Sequence, residues 1–339
     1  MSKVYQVFIL SVMFFSACEE EKNITDVSSP IPKKVEYPCL DASGDCLSIY
    51  KVGIGGVQIY SSFHPDSVSN VKNAIIVVHG NNRNSDDYFS NMMSAIISLG
   101  LENEVLVISP RFIIQGEKSS DSDWYWNTTS WKWGNQSYSQ SGSNISSFAV
   151  LDTLLNRLNS ENIYPNLESV LITGHSSGAA FTQLYSATKE NNKYMEINLE
   201  FAVMNSQYFL HADSNRLQNN QLLPLENCSN YNDWPSGFSN LNPYLLSISK
   251  NTSYNNFINN KVLYFIGTSD ISMDGIQSGC KYSAIGINRY EKTNNFITYM
   301  DLTINNHQHN KIEINGVGHS SSGMYSSSNF KTYLNTIFQ

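Results

Sequence analysis

Charged side chains are scarce in this chain. Asp, Glu, Lys and Arg make up 15% of the 339 residues, and acids outnumber bases 29 to 21. With a formal net charge of −8 and no basic stretch, nothing is concentrated enough to neutralise a phosphate backbone, so nucleic acid is excluded as a partner. Hydrophobic residues at 41% exclude a disordered or coiled-coil chain. No apolar run is long enough to cross a bilayer as a helix. There is no internal repeat, no Cys-x-x-Cys pair and no Cys/His cluster at zinc spacing. His307 and His309 lack further ligands and read as solvent-exposed. No metal and no organic cofactor is expected.

The first residues have the order of an export signal. Lys3 supplies a positive start, residues 4–15 are almost uninterruptedly apolar, and the small residues Ser16 and Ala17 lead to Cys18. A lipoprotein-type signal peptide over residues 1–17 is the expectation, with Cys18 as the lipidated residue. Phe15 stands where an aliphatic residue is commoner. Residues 18–36 are acidic at first and then rich in Ser and Pro, the composition of a polar tether. The expected location is the cell envelope, lipid-anchored at a bacterial outer membrane or cell surface, or secreted, with the membrane as partner through the N-terminal lipid.

Cys39, Cys46, Cys228 and Cys280 remain. An even number in an exported chain favours disulfides, with three possible pairings. Cys39–Cys46 and Cys228–Cys280 are preferred, the second tying two long loops together.

Short β-branched runs alternate with helix-like segments. AIIVV (74–78), VLVIS (105–109), SVLIT (169–173) and VLYFI (262–266) suit strands buried on both faces, and residues 201–204 and 311–314 are shorter candidates. Residues 86–99 (capped by Ser85), 148–158, 179–188 and 330–338 read as helices. Residues 49–61, with Gly53, Gly55 and Gly56, read as an antiparallel edge hairpin. The pattern predicts an α/β fold over residues 37–339, a single domain with a mostly parallel central sheet flanked by helices. Loops near 113–146 and 207–258 are the expected lid or cap.

The chemistry concentrates at Gly174-His175-Ser176-Ser177-Gly178, a Gly-x-Ser-x-Gly between a strand run and a helix run. That context is a nucleophile elbow, in which a sharp bend projects the serine hydroxyl above the sheet. A serine needs a base. His319, past the last strand run and before the terminal helix, fits best. His175 inside the elbow is expected to point away, and His79 to belong to an oxyanion loop. The orienting carboxylate is Asp270, a short turn after VLYFI, with Asp274 as its rival. The N–H of Asn81, in His79-Gly80-Asn81-Asn82, and that of Ser177 are the expected oxyanion donors.

HGNN after a strand, GHSSG, GTSD and GVGHSS, in that order, resemble the α/β-hydrolase superfamily from about residue 49 onward. HGNNRNSDDYF, SPRF, WYWNTTSW, CSNYNDWPSGF and GINRYEK further resemble a little-characterised branch of bacterial secreted hydrolases. The resemblance implies an acyl-enzyme mechanism on an ester, amide or thioester.

Trp124, Trp126, Trp131 and Tyr208 are expected to line the substrate site, where aromatic faces stack on sugars or wall an acyl pocket; the alternative for the tryptophan stretch is a loop that packs on itself. The leading expectation is a serine esterase acting on a small or polymeric ester outside the cytoplasm. The rivals are a peptidase or amidase with the same three residues, and a non-catalytic binding lipoprotein.

Overall fold

The computed structural model describes residues 38–66, 71–189 and 197–338. The expected signal peptide, Cys18 and the tether lie outside the described residues. Strands β1 (Leu47–Val52), β2 (Gly55–Ser61), β3 (Asn73–Val78), β4 (Val105–Pro110), β5 (Ser169–His175), β6 (Asn198–Met204), β9 (Val262–Gly267) and β10 (His309–Ile314) form one sheet in the order β1-β2-β4-β3-β5-β6-β9-β10. The pairings of β1 with β2 and of β2 with β4 are antiparallel; all others are parallel. The hairpin at the sheet edge is therefore where glycine spacing puts it. Strands β7 (Asn215–Gln218) and β8 (Gln221–Pro224) make a separate small hairpin.

Strand β3 shows why the sheet is buried on both faces. Ala74, Ile76 and Val78 enter one hydrophobic cluster, and Ile75 and Val77 enter the other. Successive side chains of a strand point to opposite faces, so a run without polar residues demands cover on both. Helices α2 (Ser147–Leu158) and α3 (Ser177–Ser186) supply apolar residues to the first cluster. Helices α1 (Ser85–Ser98), α8 (Ser321–Ser326) and α9 (Ser328–Ile337) supply them to the second. Helix α1 begins one residue earlier than expected, with Asn84 rather than Ser85 in the cap position.

Helices α4 (Pro243–Ile248), α5 (Lys250–Asn259), α6 (Cys280–Ser283) and α7 (Arg289–Thr303) are not legible from apolar periodicity. Helix α7 shows the reason: its buried residues are Arg289, Lys292, Thr293, Phe296, Tyr299 and Met300. Half of its inward stripe is polar, so the helical period is hidden.

The expectation for the tryptophans is corrected. Trp124, Trp126 and Trp131 are at most 1% exposed and belong to the first core cluster. The Nε1 atoms of Trp124 and Trp126 donate to main-chain oxygens of Val52 (2.8 Å) and Asn135 (3.1 Å), and Trp131 stacks on Phe112 with its ring centroid 5.4 Å away. Large apolar area, with a satisfied polar tip at Trp124 and Trp126, is better used in filling a layer than in walling a wet cleft. His309 is corrected too: it is buried, with Nδ1 2.9 Å from the Tyr264 hydroxyl and Nε2 2.6 Å from the Phe257 carbonyl oxygen.

Both preferred cysteine pairs are joined, Cys39 to Cys46 and Cys228 to Cys280. Disulfides of this kind suggest an extracytoplasmic protein. No helix among the described residues is long and apolar enough to cross a membrane.

Candidate active site

Only Ser176 separates β5 from α3, at φ 60° and ψ −115°. A non-glycine residue there is strained by about 1–3 kcal/mol, so the surroundings must hold it. They do, because the bend is packed backbone to backbone. A Cβ at Gly174 would lie 2.3 Å from the Gly178 carbonyl oxygen, and one at Gly178 would lie 2.1 Å from that of Val78. The Ser176 N–H donates to the Met204 carbonyl oxygen at 3.0 Å, tying the bend to the neighbouring strand.

Three of the expected residues meet above the C-terminal ends of the strands. Ser176 Oγ is 3.0 Å from His319 Nε2, and His319 Nδ1 is 2.8 Å from Asp270 Oδ2. Asp270 is almost fully buried; its other oxygen lies 3.6 Å from Nη1 of buried Arg289. Asp274 is exposed and offers Arg289 only its main-chain carbonyl, at 3.4 Å. An imidazole held this way carries its proton on Nδ1 and leaves Nε2 free to accept one, which is the condition for activating a hydroxyl.

The segment bearing His319 is held down from below. A Cβ at Gly267 would lie 2.2 Å from the Val317 carbonyl oxygen, so the close approach of the two strand ends requires glycine. Asn205, at φ 51° just past β6, donates through Nδ2 to the Gly318 carbonyl (3.0 Å) and accepts from the Gly267 N–H (2.9 Å). One amide side chain thereby joins β6, β9 and the His319 loop. Nothing in the sequence singles out Asn205, because its role lies in contacts with distant segments.

His175 does not turn away from the site. It lines the cleft with its ring centroid 4.5 Å from that of His319, and its Nδ1 is 3.1 Å from the Tyr88 hydroxyl. Burial first, and then the neighbouring His319 and Arg289, hold its pKa well below the usual histidine value. It is thus a neutral platform beneath the second imidazole.

Asn81 and Ser177 both line the cleft, and their main-chain N–H groups donate to no other group among the described residues. Helix α3 starts at Ser177, so its dipole adds to the positive potential there. The Asn81 loop is anchored by Arg83, which reaches the Asn81 carbonyl (2.9 Å) and pairs with Glu117 (2.9 Å); Arg111 closes the cluster through the Arg83 carbonyl (3.1 Å). His79 ties the same loop to the segment just after β4, its Nε2 accepting from the Phe112 N–H at 2.9 Å. Burial pulls the His79 pKa down to about 4.

The cleft around Ser176 has a volume of about 610 Å³. Tyr208 lines it; Trp124, Trp126 and Trp131 do not. Lys132, inside the tryptophan stretch, does. The Trp133 carbonyl accepts from Trp234 Nε1 (2.8 Å) and Asn242 Nδ2 (2.9 Å), joining the two long loops.

At the level of sequence, no family model and no curated protein matches this chain. Solved structures do resemble it. LpqC, a poly(3-hydroxybutyrate) depolymerase from Bordetella parapertussis, superposes with a TM-score of 0.60 at 14% identity over 86% of this chain and 91% of its own. Poly(aspartic acid) hydrolase-1 from Sphingomonas sp. KT-1 gives 0.58 at 14% identity over 86% of this chain and 97% of its own. At this identity the likeness is one of fold, and the fold is that of the α/β-hydrolases.

Proposed function

We propose that this protein is a serine hydrolase that cleaves carboxylic esters through an acyl-enzyme. The observation that carries the reading is the pair of short contacts, Ser176 Oγ to His319 Nε2 at 3.0 Å and His319 Nδ1 to Asp270 Oδ2 at 2.8 Å, on a strained elbow. His319 takes the hydroxyl proton as Ser176 Oγ attacks the carbonyl carbon. The N–H groups of Asn81 and Ser177 receive the developing oxyanion. The proton passes to the departing alcohol oxygen, leaving an ester on Ser176. Water, deprotonated by the same imidazole, then releases the acid and restores the serine. The two structural neighbours carry the names of a depolymerase and a hydrolase, which agrees with this reading.

Replacing Ser176 by Ala removes the nucleophile. Turnover of p-nitrophenyl acetate is expected to fall by at least about 10³-fold and labelling by a fluorophosphonate to vanish, with the circular dichroism spectrum unchanged. Native-rate hydrolysis by the variant would discard the mechanism.

The reading places the enzyme outside the cytoplasm, anchored through a lipid on Cys18. The ordered signal features of residues 1–18 and the two disulfides support it. Cys18→Ala should move the protein from the membrane fraction to the soluble fraction and abolish incorporation of labelled palmitate; unchanged fractionation and labelling would refute the anchor.

A further inference from the structure

Lys132 is 4% exposed, yet among the described residues no acid stands beside it. Its Nζ lies 3.4 Å from Asn81 Oδ1 and 3.5 Å from Ser177 Oγ, both neutral groups at the long limit of hydrogen bonding. The rings of Trp133 and Tyr208 flank it, with centroids 5.1 and 5.4 Å away. Aromatic faces compensate an ammonium only in part. Burying a cation without a counter-ion is costly, so charged groups in protein interiors are normally paired. Burial lowers the Lys132 pKa to about 8, which leaves the group mainly protonated at neutral pH.

The rest of the cleft sharpens the question. Its lining includes two basic side chains, Lys132 and Arg289, and among the described residues no Asp or Glu. Arg289 already faces Asp270, so Lys132 is the cation left over. Among the described residues no aliphatic side chain lines the cleft either, so apart from the Tyr88 and Tyr208 rings it offers little apolar surface to a long hydrocarbon chain. Lys132 also stands beside Asn81 and Ser177, the residues assigned to the carbonyl oxygen, whereas the leaving alcohol takes its proton from His319. A charge that pairs with Lys132 therefore belongs to the acyl part of the substrate.

We propose that Lys132 is a specificity residue that binds a carboxylate carried on the acyl group, so that the substrates are half-esters of short dicarboxylic acids or polymers with pendant carboxylates. This rests on the serine-hydrolase reading above. The carboxylate completes an ion pair for which the protein supplies only the cationic half, and the Trp133 and Tyr208 rings shield that pair from water.

The test compares mono-(4-nitrophenyl) glutarate with 4-nitrophenyl pentanoate, which differ by a carboxylate in place of a methyl group. The wild-type enzyme should prefer the charged ester in kcat/KM. Lys132→Met should reduce that preference on the order of 30-fold, chiefly through KM, and Lys132→Arg should restore part of it. Free glutarate should inhibit the wild type competitively, and better than pentanamide, a measurement that needs no variant. Fluorophosphonate labelling of Ser176 is followed in parallel. Loss of labelling and of all ester turnover in the wild type would reject the hydrolase reading. Intact labelling with no preference for the charged ester, or equal losses on both esters in Lys132→Met, would reject only the role of Lys132. A change of preference confined to 4-acetoxybenzoate over phenyl acetate would reject the placement of the charge on the acyl side.

Discussion

Asp270 works from a nearly sealed position, with one carboxylate oxygen on His319 Nδ1 at 2.8 Å and the other 3.6 Å from Arg289. An asparagine there would fit the space but present an N–H donor where the imidazole needs an acceptor, and the ring would take the wrong tautomer. Asp270→Asn is therefore expected to lower kcat/KM for p-nitrophenyl esters on the order of 10³–10⁴-fold. Asp274→Asn, at an exposed side chain, should change it by less than about threefold. Steady-state kinetics on the two variants decides between the acids, and the opposite ranking would reverse the assignment. Ser176, His319 and both acids are legible in sequence because each lies at or in the loop after a strand run, and strand ends are where this architecture gathers its side chains. Asn205 and Lys132 are not, because what distinguishes them is whom they touch: Asn205 bonds across three chain segments, and Lys132 is distinguished by the acid it does not meet.

At the scale of elements, the long loops are the part that sequence describes least. They are held by polar and covalent ties instead of a periodic apolar face. Helix α6 starts at Cys280, its Tyr282 packs edge-on against Tyr208 at 5.6 Å, and Cys228 fastens it to the loop after β8. The cystine spans 52 residues, and closing a loop of that length in the unfolded chain is worth about 4 kcal/mol in the chain-entropy treatment. Cys228→Ser is expected to lower stability by up to about that amount, read as a fall in the urea midpoint, with m the same or higher because the freed chain exposes more surface on unfolding; a midpoint within error of the wild type would show that the tie carries no stability. The tryptophan stretch teaches the converse. Its composition fits a binding surface, but three of its indoles are drawn into the core because the space beside α3 and the edge hairpin must be filled at high density.

For the whole molecule, the buried histidines set an acid limit. Burial holds His79 and His309 at about 4 against an ordinary 6.5, and holds His175 and His211 well below it. The unfolded chain therefore binds more protons than the folded one between pH 6.5 and about 4, and stability falls as pH falls through that window. For His79 and His309 the loss is on the order of 3 kcal/mol each. The thermal midpoint should decline steadily from pH 6.5 to 4; a flat profile would mean that these rings are solvated and charged in the folded protein. Replacing His309, remote from the cleft, by Gln should flatten part of the slope, checked by thermal melts of the pure variant across the same range.

The sequence by itself determined the sheet, the edge hairpin and the elbow, and it pointed to a serine, a histidine and two rival acids, because these depend on local periods, on glycines at a tight bend and on the order of strand ends. Tertiary structure alone decided which acid faces His319, that His175 lies beneath it, that Trp124, Trp126 and Trp131 are core and that an ammonium with no acid beside it among the described residues borders the cleft. Those facts concern distances between segments far apart in the chain and the exclusion of water around them, and neither is encoded in the spacing of residues along one segment.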